Sequence, residues 1–334
     1  MLNLANVQSI LNTTFAPAIA DQLNQKSVLL HRIRKTFGSG KNMQWDVKVT
    51  RGTSAGSYAS GADITGDDND VEIPAVLQWK RNKAEFKVAG DALAAAASAG
   101  PDAYANLFSK SLHDSTMNLA KELGRQLYGN GTGNGGLDLD GLGAIITNTG
   151  TYAGIDRAAY PVWQSNILAN GGVPRPLTVD LLRQAERSIY TATGAQADFI
   201  ITTPEIYDQY AALFDLIKRV MADGTHSGQY DLGTRDLTWN GIPILRDVQC
   251  PAGQLYFFTQ ADLAYEQLPM IEAAGFGAGT DGNLTALTAD GDVGLRVAIE
   301  LLGKSGDNYK GFIKCYGNMK SEHPSWHAMI KDIT

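Results

Sequence analysis

The sequence predicts an α+β fold, and three stretches carry that expectation. Residues 98–136 read as one long helix stopped by glycines, residues 42–88 as an extended two-armed excursion, and residues 166–260 as helices alternating with short apolar strands. Strands frame the long helix without a regular βαβ repeat, and the α/β portion forms a separate insert, which sets the class.

Taken in chain order, residues 1–36 read as an extended arm with one short helix, closing on the basic cluster His31, Arg32, Arg34 and Lys35. Such a cluster is most often a solvated face; contact with an acidic partner or nucleic acid is the alternative. In NMQWDVKVTR, apolar residues alternate with polar ones at Met43, Trp45, Val47 and Val49, the period of a strand with one exposed face. VLQWKRNKAEFKV reads as the returning arm. Between them lies a polar, glycine-rich tip with Asp63, Asp67, Asp68, Asp70 and Glu72, while the returning arm carries Lys80, Arg81, Lys83 and Lys87. A two-stranded hairpin is marginal alone in water. One with so few core residues needs another surface, and opposite charge on tip and arm suits docking on a neighbouring molecule. Pairing within the hairpin is the plainer alternative, and the two are compatible.

The long helix opens with Pro101, suited to the first helical position, and Asp102 near the positive end of the dipole. Apolar residues recur at Tyr104, Leu107, Phe108, Leu112, Leu119, Leu123 and Leu127, broken by a polar gap at Ser115 and Thr116. Gly129, Asn130 and Gly131 end it. About 27 residues rising ~1.5 Å each make a rod of roughly 40 Å, too long for an ordinary crossover.

After a glycine-rich loop, LTVDLLRQAERSIYTAT is an amphipathic helix, DFIITT a buried strand, and PEIYDQYAALFDLIKRVM a second helix opened by Pro204. LTWNGIPILRD and GQLYFF read as strands. From Ala261 the chain turns β-rich again, and VGLRVAIELL and YKGFIKCYGNM alternate as the strands of a hairpin.

Composition narrows the function. A chain of 334 residues suggests about two domains, and a net charge of −7 argues against a protein that coats nucleic acid with its whole surface. It leaves room for a container whose wall should not grip its contents. Cys250 and Cys315 fit a reducing compartment and need no bridge. The first residues lack a basic n-region and no run approaches about 18 apolar residues, so a soluble protein made in cytoplasm is expected, without a membrane.

Motifs for chemistry fail one by one. Gly131-x-Gly133-x-x-Gly136 follows a helix where a dinucleotide site needs a strand, and Gly277-x-Gly279-x-x-Gly282 lies in a Gly/Ala/Thr loop. With 36 glycines such matches arise by chance. Gly52-Thr53-Ser54-Ala55-Gly56 has no helix behind it to make a nucleophile elbow. His323 and His327 are spaced as in zinc sites, but no acid lies between and Pro324 spoils the helix. Asp138 and Asp140 lack the other ligands of a calcium loop. No catalytic, cofactor or metal site is expected.

Several phrases together resemble the major capsid proteins of tailed bacteriophages, which have the Hong Kong 97-type fold. They are the run 119–146 (with Leu139-Asp140 interposed), GIDRAAYPVW at 154–163, IITTPEIYDQY at 200–210, and NGIPILRD followed by CPAGQLYFF at 240–258. The resemblance covers most of 90–265. It implies an N-terminal arm (1–41), an extended E-loop (42–88), a peripheral P-domain (89–165, spine helix about 102–128, and return strands 261–334) and an axial A-domain (166–260). It further implies a non-enzymatic virion protein, assembled in the bacterial host cytoplasm as hexamers and pentamers of an icosahedral head around double-stranded DNA, without sequence-specific binding. Inter-subunit contact is expected at Asp67, Asp68, Asp70, Lys80, Arg81 and Lys83. The chain opens directly on the arm, so scaffolding is expected as a separate protein, with a portal as a further partner; the resemblance leaves a decoration protein open. An encapsulin-like nanocompartment is the alternative on the same fold. An enzyme built on 166–260 is the third reading, and it lacks a nucleophile–base or metal constellation.

Overall fold

A computed structural model of the chain describes residues 28–50, 56–62, 71–99, 107, 111, 114–115, 118–119, 121–194, 196–221, 237–268 and 298–334. Two mixed sheets organise it. In the first, the long strand β14 (Asn308–Ser321) is central: β4 (Lys80–Ala89) pairs along one side, and β13 (Ala298–Ser305) and β12 (Leu263–Gln267) along the other. β1 (Arg34–Phe37) then adds parallel to β12. β13 and β14 form the expected hairpin. The second sheet runs β7 (Asn166–Leu168), β15 (Ala328–Ile330), β11 (Leu255–Phe258), β8 (Phe199–Thr202), β10 (Ile242–Arg246), β9 (Thr238–Trp239). A short ribbon, β5 (Thr151–Tyr152) with β6 (Ile155–Asp156), stands apart from both.

The excursion departs from its sequence reading in one respect. Its arms are β2 (Asn42–Thr50) and β3 (Val71–Gln78), paired antiparallel from Asn42↔Gln78 outward. The returning segment is not one strand: it breaks at Trp79, and β4 leaves the hairpin for the first sheet. The hairpin therefore ends at 78 rather than 88, and Lys80, Arg81 and Lys83 stand on the body's sheet. The reason is in the partners. β14 offers a full-length edge to 80–89, whereas β2 has already been used by 71–78. The arms also have more support than composition suggested, since Met43, Val47, Ala75 and Leu77 are buried in the main core. Asp67, Asp68 and Asp70, and Pro101 and Asp102 of the helix start, lie outside the described residues.

The spine helix ends as expected. Residues 121–127 are helical, Leu119, Leu123 and Leu127 are fully buried, and Gly131 adopts φ +78°. The polar gap has a partner: Ser115 is buried and its Oγ donates to Glu85 O at 2.9 Å, while Ser111 Oγ reaches Lys87 O at 3.4 Å. Four helical residues rise ~6.0 Å and two strand residues ~6.8 Å, so serines four apart can serve alternate carbonyls of β4. A helix over Gly90–Ala99, absent from the sequence reading, joins β4 to the spine.

In the α/β portion, the helix Val179–Thr193 buries Leu182, Ala185 and Ile189; Thr178 caps its start, and Gly194 at φ +72° ends it. The segment 238–246 is two strands, because Asn240 (φ 48°) and Gly241 (φ +83°) form a tight hairpin turn. The C-terminal strand β15 inserts between β7 and β11. The last residues thus complete the sheet of the insert, and the return segment 261–334 serves both sheets.

Candidate functional site

A catalytic reading would need titratable groups converging on an open pocket, and among the described residues the strongest convergence centres on a buried carboxylate. Asp262 sits between the sheets, where the chain crosses from β11 to β12, and the turn 322–327 makes the second crossing. Its carboxylate accepts from Ser321 Oγ, from His323 Nδ1 (2.8 Å) and N–H (2.8 Å), from Glu322 N–H (3.2 Å), and from His327 Nε2 (3.0 Å). His327 is wholly buried, and its Nδ1 accepts from Thr259 N–H at 3.4 Å, which places the ring proton toward Asp262. Burial alone would raise the Asp262 carboxyl, but the bonds from His323, His327 and Ser321 outweigh it and hold the group well below the carboxylate range. Ser321 Oγ donates to Asp262 instead of being relieved of a proton by His327, so the trio is a joint between the sheets and has no activated nucleophile. His323 is the exposed member; its ring stacks on Trp326 at 4.1 Å, and the Asp262 bond raises its pKa.

Three further buried polar groups tie segments together. Asp247 accepts from Leu29 N–H (3.2 Å), Tyr128 Oη (2.9 Å) and Gln249 N–H (2.9 Å), so the root of the N-terminal segment meets the end of the spine. Arg157 lies 1 % exposed over the Tyr152 ring, and its guanidinium donates to the carbonyls of Ala144, Ile145, Thr149 and Trp163. With no carboxylate beside it, burial lowers its pKa to about 10. Asn318, fully buried, uses its amide on Gln78 O and Asp140 Oδ2 and accepts from Asp140 N–H. Their partners lie up to 240 residues away, so no spacing rule finds them. Among the described residues no group of three acids, histidines or cysteines is placed to hold a metal ion. Cys250 and Cys315 are free and buried, and burial raises both thiols, Cys315 to about 12.

The expected contact residues divide. Lys80 is engaged within the chain, donating to Gly136 O at 2.7 Å and lying 3.7 Å from Asp140. Arg81 and Lys83 are exposed on β4, two residues apart and hence on one face, with Lys87 further along it. Lys48 pairs with Glu72 across the hairpin at 3.4 Å, so some of the excursion's charge is neutralised internally. No helix among the described residues is long and apolar enough to cross a membrane.

No protein-family model matches the sequence, and neither does any curated protein. Solved structures do. A cyanophage A-1(L) capsid protein is 21% identical with a TM-score of 0.70, over 92% of this chain and 93% of that one. The capsid protein of Myoviridae phage XM1 (9% identity, TM-score 0.54) aligns over 91% and 90%. The holo-SrpI encapsulin complex from Synechococcus elongatus (11%, 0.54) aligns over 91% and 86%. The chain has the Hong Kong 97-type capsid fold, that of tailed-phage major capsid proteins.

Proposed function

We propose that this chain is the structural subunit of a phage head: a shell protein that assembles as hexamers and pentamers into an icosahedral container for double-stranded DNA and performs no catalysis. The observation that carries the reading is the correspondence with a phage capsid protein over nearly the whole length of both chains. The closed Asp262 joint and the unreactive cysteines agree with a non-enzymatic role. In this reading residues 1–41 are the arm, the hairpin reaches over a neighbour, the spine and first sheet form the peripheral domain, and the second sheet forms the axial one. A separate scaffolding protein and a portal complete the head, which assembles in the host cytoplasm and ends in the virion. An encapsulin-like compartment is the second reading, motivated by the encapsulin likeness.

Electron microscopy of the purified protein, with and without its scaffold, tests the proposal. Closed icosahedral shells, or rings of five and six that close on adding scaffold, are expected. A monodisperse monomer or dimer under every condition sinks it. Nuclease-protected DNA inside shells from infected cells supports the head, whereas co-purifying cargo protein supports the compartment.

A further inference from the structure

Two tight turns in this chain share one backbone shape and differ in their first residue. Asn240-Gly241 (φ 48° and +83°) joins β9 to β10, and Ala153-Gly154 (φ 51° and +81°) joins β5 to β6. Asparagine enters the left-handed region readily because its short amide bonds locally. Alanine does so only under strain, and a strained residue persists where its surroundings over-determine it. Asn240 is exposed, whereas Ala153 is buried in the main core, which also holds Met43, Ala75 and Leu77 of the hairpin. The Ala153 carbonyl accepts from Val76 N–H at 2.9 Å. The hairpin therefore bonds to the one turn that keeps an alanine in the left-handed region.

The outer edge of β3 is held at two points. Gln78 O accepts from Asn318 Nδ2 at 3.0 Å, and Val76 N–H goes to Ala153 O. Pro74, two residues further out and opposite Asp46, has no N–H to give. The ribbon that receives Val76 has a firm base. Tyr152 stacks on Trp163 with ring centroids 6.0 Å apart, the Arg157 guanidinium lies over its ring, and Trp163 Nε1 donates to its carbonyl at 3.2 Å. Its hydroxyl accepts from Ser321 N–H at 3.0 Å, beside the Asp262 joint.

We propose that the β5–β6 ribbon is a strut that sets the direction in which the hairpin leaves the body, and that it does so in the free subunit. A two-stranded hairpin held only at its root can pivot there. The bond at Val76 lies two strand residues, ~6.8 Å, beyond the root contact at Gln78, and two fixed points define a direction. An element already pointing the right way gives up less freedom on association. The strut stands on the subunit's own contacts; its consequence for assembly rests on the shell reading above.

Spin labels on Val71→Cys, at the outer end of β3, and Val248→Cys, in the exposed turn after β10, report the hairpin's direction in the unassembled subunit, since Cys250 and Cys315 are buried and escape labelling. Electron–electron distance measurement should give one narrow distribution. Val76→Pro removes the N–H that reaches Ala153 and should about double its width. Gln44→Pro is the control: it faces Val76 across the pair, on the outer edge of β2, which pairs with no further strand among the described residues, and it should leave the width unchanged. A broad distribution without either proline, an unchanged width in Val76→Pro, or equal broadening by both prolines overturns the strut. If circular dichroism shows Val76→Pro unfolded, Ala153→Gly decides: it relieves the left-handed strain and removes the buried methyl, so a wider distribution supports the strut and an unchanged one overturns it. Folded Val76→Pro subunits should also close into shells about tenfold less often. Absence of shells from the wild-type protein would remove the shell reading, while the distance measurement still decides the strut.

Discussion

At the residue scale, the buried polar groups are where single changes cost most. Arg157 serves four carbonyls in a site without a counter-charge, so Arg157→Met should destabilise the subunit by about 2–4 kcal/mol, because acceptors lose donors and none is replaced. Urea unfolding measures it; a change within ~0.5 kcal/mol would mean those carbonyls are satisfied by water. The Asp262 joint has a defined pH signature. Its carboxyl is depressed, so its contribution is present above the ordinary carboxylate pKa and is lost only in strong acid. His323 is raised, so its contribution is complete below its unfolded pKa of about 6.5 and fades as pH rises through the folded value. Because His323 is half exposed, that part amounts to less than ~1 kcal/mol. Thermal melts should show this alkaline loss in wild type and not in His323→Gln; identical pH profiles would remove His323 from the joint.

At the element scale, β4 is the instructive strand. It is an edge, and an edge leaves a row of unpaired backbone groups. The spine helix covers it with Ser111 and Ser115. Ser115→Ala should cost about 1–2 kcal/mol, since Glu85 O loses its donor in a part-buried place, and Ser111→Ala less, because its bond is longer and exposed. Equal effects in chemical denaturation would contradict that ranking. In the sequence Ser115 reads only as a flaw in an apolar stripe. The helix was legible from its period, but the purpose of its one polar break lies in a strand 30 residues away.

At the scale of the whole molecule, the proposed shell role separates folding from assembly. The hairpin roots pack on the subunit's own core, so the folded subunit should survive without neighbours while the shell does not survive loss of its contacts. Deleting residues 1–24 leaves the helix Val28–Arg32 and its Asp247 anchor in place, and should give a folded subunit with normal circular dichroism that misassembles. Correctly sized shells from that deletion, seen by electron microscopy and sedimentation, would make the arm dispensable.

Local pattern determined much of this protein. The period of Leu119, Leu123 and Leu127, the amphipathic pattern of residues 177–193, and the alternation along β13 and β14 were readable because each reflects interactions a few residues apart. So was the likeness to capsid proteins, carried by phrases in the end of the spine helix, the glycine-rich loop, and the strands β8, β10 and β11 with their neighbouring turns. What only the tertiary structure decided is which strand pairs with which. A strand's alternation states that it has a buried face and says nothing of its partner, so 71–78 and 80–89 looked like one arm until β14 claimed the second. Residues 328–330 close the second sheet for the same reason. Asp262, His327 and Asp247 acquire their roles only when crossings far apart in sequence are brought within about 3 Å, the range over which a buried carboxylate and its donors hold each other.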